Sequence, residues 1–226
     1  MLVLIKFLAA LLVGACLSGP QPAQAQPTTL RILPFGDSLT DGLDVPGGYR
    51  IRLHGLLADL GYDVRFVGPY TNGPKSLPSR NHMGLPGATM NDVGADLAPA
   101  VRAYAPHVVL MLLGTNDVWY THDTQALLEQ YERVMLTAFI ADPSIMFVVA
   151  MPPPAKLGPA YEARMEQFTY GVADIAFRYQ ALGWRVYLAD HYQTDVEISD
   201  DGVHPTRAGY DRMAANWFCA LTGFEP

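Results

Sequence analysis

Residues 30–42 read LRILPFGDSLTDG, and this stretch decides the fold. An apolar run of Leu30, Ile32, Leu33 and Phe35 breaks at Gly36 into Asp37, Ser38, Thr40 and Asp41, the pattern of a buried strand that ends in a polar turn. Buried strands in α/β proteins place their chemistry at that end. A serine delivered there, beside glycine and acidic groups, is a candidate nucleophile if the chain supplies a base elsewhere.

Working outward, Tyr49, Leu53, Leu56, Leu57 and Leu60 recur at three- and four-residue spacing, one face of a helix that Gly61 ends. Residues 62–67 read as a strand, and residues 68–87, rich in Gly, Pro, Asn and Ser, as one long loop. A helix is expected over 91–104, with Pro99 a point of breakage. Residues 107–113 (HVVLMLL) form a buried strand that runs into a second polar turn, Gly114-Thr115-Asn116-Asp117. Helices over 124–140, 161–182 and 205–221 then alternate with strands over 145–150 and 185–189. The last helix carries the apolar stripe Tyr210, Met213, Ala214, Trp217, Phe218 and Leu221. Five strands in alternation with helices predict an α/β domain, a mostly parallel sheet with helices on both faces. In such a sheet the turns at Ser38, at Asn116 and after Ala189 share one edge.

With 226 residues, half of them apolar, the chain can build one substantial core and reads as one domain. Its net charge of −7 argues against nucleic acid, whose binding rests on lysine and arginine. Residues 1–25 differ from the rest. Lys6 is the only charge before Arg31, an apolar run follows it, and Ala23-Gln24-Ala25 offers a small-x-small cleavage pattern. They read as a secretory signal, leaving 26–226 as the mature domain without stable membrane insertion, because the apolar run is shorter than the ~20 residues a bilayer needs. The alternative is a lipoprotein anchored through Cys16, since Val13-Gly14-Ala15-Cys16 resembles a lipobox. If the cut follows Ala25, Cys16 is lost and Cys219 stands alone, reading as a small apolar residue in the core of the last helix.

His204 lies just before Pro205, and an imidazole there can take a serine's proton. A carboxylate three residues earlier, Asp201, has the spacing to hold the other ring nitrogen, whereas Asp195 and Asp200 are weaker candidates. Acyl transfer also needs donors for an oxyanion. The Asn116 amide, the Gly87 turn N–H and Ser38's own N–H are the candidates. Asp117 reads as turn chemistry, and His54, His82, His107, His122 and His191 as structural or exposed. Trp119 and Tyr120 follow the Asn116 turn, where aromatic faces can stack on a sugar ring or pack.

Gly36-Asp37-Ser38-Leu39, Gly87, Gly114-Thr115-Asn116-Asp117 and Asp201-Gly202-Val203-His204-Pro205 occur in the order and spacing of the SGNH, or GDSL-type, hydrolases, which the chain resembles. The resemblance implies a three-layer αβα flavodoxin-like sandwich, with Ser38 as nucleophile, His204 as base, Asp201 as its acid, and an oxyanion hole from Ser38, Gly87 and Asn116. Gly47-Gly48-Tyr49-Arg50, Phe66-Val67-Gly68 and Gly84-Leu85-Pro86-Gly87 are similar to carbohydrate esterase family three, which implies deacetylation of polysaccharide such as acetyl xylan.

The expected function is a secreted serine esterase acting on short-chain esters, with no cofactor or metal. Relatives acting on longer acyl chains, such as lipases, thioesterases or lysophospholipases, are the nearest alternative. A metal-dependent phosphate-ester hydrolase using Asp37, Asp117, Asp201 and His204 is another, and a catalytically silent carbohydrate-binding protein a third.

Overall fold

A computed structural model describes residues 29–224. The expected leader and Cys16 lie outside these residues. A sheet of seven strands is layered between helices on both faces, with strand order β3-β4-β1-β5-β6-β7 and β2 also paired to β1. The strands are β1 (Leu30–Gly36), β2 (Val64–Phe66), β3 (Tyr70–Thr71), β4 (Asn81–Gly84), β5 (Val108–Leu112), β6 (Met146–Met151) and β7 (Val186–Asp190). Every pairing is parallel except β3 with β4. Through β2, β1, β5, β6 and β7 the sheet has the 2-1-3-4-5 order of flavodoxin-like folds, whose ligand crevice opens where the order reverses, between β1 and β5.

Both sheet faces are buried, so the strands read as continuous apolar runs whose alternate residues enter different cores. Ile32, Val108, Leu110 and Leu112 pack with Leu53, Leu57, Tyr210 and Trp217 from α2 (Arg50–Asp59) and α8 (Arg207–Thr222). Leu33, Phe35, Val109 and Met111 pack with Leu97, Tyr131, Met135, Phe168 and Val172 on the opposite face. The latter residues belong to α4 (Leu97–Tyr104), α6 (Thr124–Ala141) and α7 (Pro159–Ala181).

The strand count exceeds expectation by two because residues 68–87 are not one loop: they hold β3 and β4. The pairing of β4 with β1 covers only Phe35 with Met83 and Gly36 with Gly84, too short to leave a periodic signal. Pro34 explains how β2 and β4 share one edge of β1. The backbone groups of Leu30, Ile32 and Gly36 face that edge, through Leu30 N–H to Asp63, Val67 N–H to Ile32 and Leu85 N–H to Gly36. Pro34 is the residue of that set without an N–H, so the ladder lapses there, where β2 has ended and β4 has not begun.

The helix expected over 91–104 is split into α3 (Met90–Val93), a 3₁₀ turn (Gly94–Asp96) and α4, so the break precedes Pro99. Pro99 sits in the first turn of α4, where a missing N–H costs nothing. Cys219 is exposed rather than buried, since it lies off the stripe of Tyr210, Met213, Trp217 and Phe218 that faces the sheet. Among the described residues no helix is long and apolar enough to cross a membrane.

Candidate active site

Strand β1 delivers Ser38 to the upper sheet edge. Asp37 caps the one-turn helix α1 (Ser38–Asp41) by accepting the Leu39 N–H on Oδ1 at 2.9 Å, which leaves Ser38 as its first residue. The segment between β7 and α8 brings His204 to the same place. The His204 Nε2 is 2.9 Å from Ser38 Oγ, and its Nδ1 is 2.5 Å from Asp201 Oδ2. A carboxylate at Nδ1 assigns the ring proton to that nitrogen and leaves Nε2 as the acceptor of the Ser38 hydroxyl.

Asp201 is fixed by its own loop. Its Oδ1 accepts the Val203 N–H at 2.8 Å, the His204 N–H at 2.9 Å and the Ser199 hydroxyl at 2.9 Å. Burial pushes its pKa upward, but the bonds from Val203, the His204 ring, the His204 backbone and Ser199 together outweigh this and hold it well below the ordinary carboxylate range. It therefore stays ionised beside the imidazole. Asp195 and Asp200 make no hydrogen bond to His204 among the described residues.

The turn after β5 supplies Asn116 on α5 (Thr115–Tyr120). Its Nδ2 donates to the Ala88 carbonyl at 2.9 Å and, more loosely, to Asp37 Oδ2 at 3.4 Å. Gly87 lies one residue before Ala88 with φ of +76°, so glycine is required to make this turn. Neither the Gly87 N–H nor the Ser38 N–H donates a hydrogen bond among the described residues. Trp119 is half exposed and packs on Tyr161 with ring centroids 6.0 Å apart, while Tyr120 is 72% exposed.

Asp117 departs from the turn role expected of it. Its Oδ1 accepts the N–H of Met90, at the start of α3, at 2.9 Å, so Asn116 and Asp117 together clamp the segment that follows Gly87. Sequence reasoning missed this because the two partners are 27 residues apart. Both acidic residues at the site's floor are buried. Burial raises Asp37 to about 7 and Asp117 to about 6, with each opposed by a backbone N–H, Leu39 and Met90 respectively.

The four metal ligands considered from sequence do not form one group. Asp44, Asp201 and His204 are the described residues whose ligand atoms come within 4.8 Å of one another, whereas Asp37 and Asp117 spend an oxygen each on backbone N–H groups. His82 and His191 are buried, and the His107 Nδ1 accepts the Arg31 N–H at 3.2 Å, structural roles as expected.

Residues 35–212 match the GDSL-like lipase/acylhydrolase family. The chain belongs to this family. That membership places the GDSL-type domain among the carboxylic ester hydrolases. It is 26% identical over 227 residues to a multidomain esterase of Ruminococcus flavefaciens, covering 87% of this chain and 29% of the relative, so it spans under a third of that protein's length. A family 3 carbohydrate esterase of Clostridium thermocellum superposes with a TM-score of 0.77 at 27% identity, covering 87% of this chain and 96% of that one. A family 3 carbohydrate esterase of Talaromyces cellulolyticus has the same fold, with a TM-score of 0.73 at 21% identity over 86% of this chain and 97% of its own.

Proposed function

We propose that this GDSL-type domain is a serine esterase that removes short acyl groups, acetyl foremost, from a polysaccharide such as acetylated xylan. The observation that carries the reading is the continuous hydrogen-bonded line from Ser38 Oγ through the His204 ring to Asp201. In acylation, His204 Nε2 takes the Ser38 proton as Oγ attacks the ester carbonyl, and the imidazolium formed is stabilised by ionised Asp201. The tetrahedral oxyanion accepts from the N–H groups of Ser38 and Gly87 and from the Asn116 N–H that rests loosely toward Asp37. His204 returns the proton to the departing alcohol, and water then attacks the Ser38 acyl-enzyme with His204 again as base.

The preference for acetyl groups on sugars rests on likeness to family 3 carbohydrate esterases and on the half-exposed Trp119 and exposed Tyr120 beside the Asn116 turn. Export follows from the cleavage pattern at Ala23-Gln24-Ala25. A panel of acetyl, butyryl and octanoyl esters set against acetylated xylan tests the substrate. Acetate release from xylan with preference for the acetyl ester supports the proposal. Faster turnover of the octanoyl ester points to a lipase-like relative, and sugar binding without acetate release points to a silent binding protein.

A further inference from the structure

A buried polar knot lies beneath the turn that carries Ser38, and no step of the proposed reaction passes through it. At its centre is Arg50, the first residue of α2, which has no exposed surface. Its Nη1 donates to the Arg80 carbonyl at 2.8 Å, and its Nη2 donates to the Asp41 carbonyl at 3.0 Å and to Asn72 Oδ1. Asn72 reinforces the same point, with Nδ2 donating to the Asp41 carbonyl at 3.0 Å and to Asp41 Oδ1 at 2.8 Å. Asp41 is the last residue of α1, whose first residue is Ser38.

A four-residue helix cannot hold itself together, and its last carbonyls have no partner inside it. Two donors on the Asp41 carbonyl tie down its last residue from outside. On its other sides α1 is pressed against backbone without slack. A Cβ on Gly84 would stand 2.5 Å from the Asp41 nitrogen, and one on Gly36 would stand 2.4 Å from Thr40 Oγ1. Arg50 and Asn72 thus close a cage around the element that aims Ser38 at His204.

The chemistry of the knot suits alignment better than charge pairing. Arg50 forms no ion pair among the described residues, although taking a guanidinium out of water is costly. Burial lowers its pKa to about 10, so it remains charged at neutral pH. What it satisfies is a spread of fixed oxygens on three segments, α1, the residue after β3 and the residue before β4, a pattern that matches the planar fork and not a point charge. Burial, with the Arg50 charge second, pushes His82 down to about 3 and keeps it neutral. Its Nδ1 accepts the Gly84 N–H at 3.1 Å, which completes the floor of the cage.

We propose that Arg50 is a positioning residue for the Ser38 nucleophile, acting through the Asp41 carbonyl and Asn72. The proposal rests on the reading of Ser38 as nucleophile. Arg50→Lys tests it, because one ammonium keeps the charge but cannot reach all three oxygens. Expected is a kcat on p-nitrophenyl acetate about 10- to 100-fold below wild type with KM changed by less than about threefold, the signature of a displaced reacting atom. The rate constant for phosphonylation of Ser38 by a small organophosphonate falls by the same factor, in protein with wild-type circular dichroism. Wild-type kcat and phosphonylation rate in folded Arg50→Lys overturn the proposal. Should that variant not fold, Asn72→Ala decides: the same kcat-selective loss supports the proposal, and an unchanged kcat overturns it. Failure of the underlying reading is separately visible, since wild-type protein would then not be labelled at Ser38.

Discussion

The Asn116 side-chain amide donates to the carbonyl of Ala88 at 2.9 Å, bridging the first turn of α5 and the turn that carries Gly87. Two expected oxyanion donors are therefore mechanically coupled, and in the proposed mechanism Asn116 would serve twice. Its bond to Ala88 holds the residue that follows Gly87, and its second N–H is the one proposed to meet the oxyanion.

Asn116→Ala removes both functions. The kcat on an acetyl ester is expected to fall about 10²- to 10³-fold, the cost of one oxyanion donor, with KM changed little. Steady-state kinetics on the purified variant check this, and a loss under about threefold contradicts the role.

Asp117 is expected to matter for stability first. Asp117→Ala leaves the buried Met90 N–H without its acceptor, a loss of about 1–3 kcal/mol in urea denaturation. Asp117→Asn keeps an acceptor and is expected to lose less. Equal losses in the two variants would show that the carboxylate charge, and not the bond to Met90, is what counts.

Asp37 predicts a pH dependence whose sign is fixed. Burial raises its pKa to about 7 in the folded protein, against 3.8 ordinarily, so between these values the folded state holds a proton that the unfolded state has released. Its contribution to stability is therefore greatest at low pH and declines as pH rises through this window, levelling above about 7. Asp37→Asn keeps the cap on Leu39 and does not titrate. From pH 5 to pH 8 the variant is expected to gain roughly 2–3 kcal/mol relative to wild type in denaturant titrations. A difference that stays constant with pH contradicts the buried, protonated carboxyl.

Much of this molecule was legible in its sequence because its central strands are buried on both faces. Runs such as Leu30 to Phe35 and Val108 to Leu112 have no other stable use, and each breaks into polar residues where the sheet ends. The pairing of Asp201 with His204 was legible because the two lie three positions apart in one loop. Long-range polar geometry was not legible. Nothing local in Asp117 foretells Met90, and nothing in Arg50 foretells Asp41, Asn72 and Arg80, since these bonds depend on where strands β3 and β4 run. Those strands were hidden in turn, because β4 borrows its partner from the two last residues of β1, beyond the gap made by Pro34. Cys219 was misplaced for a simpler reason: on a helix the residue next to a buried one turns about 100° away from it.

In the proposed mechanism Ser38 forms the acyl-enzyme. Its most direct measurement is the turnover of an acetyl ester by Ser38→Ala, in protein shown by circular dichroism to be folded. A fall in kcat of at least about 10³-fold is expected, with the Asp201–His204 pair left without a nucleophile to activate. Turnover at the wild-type rate would contradict it.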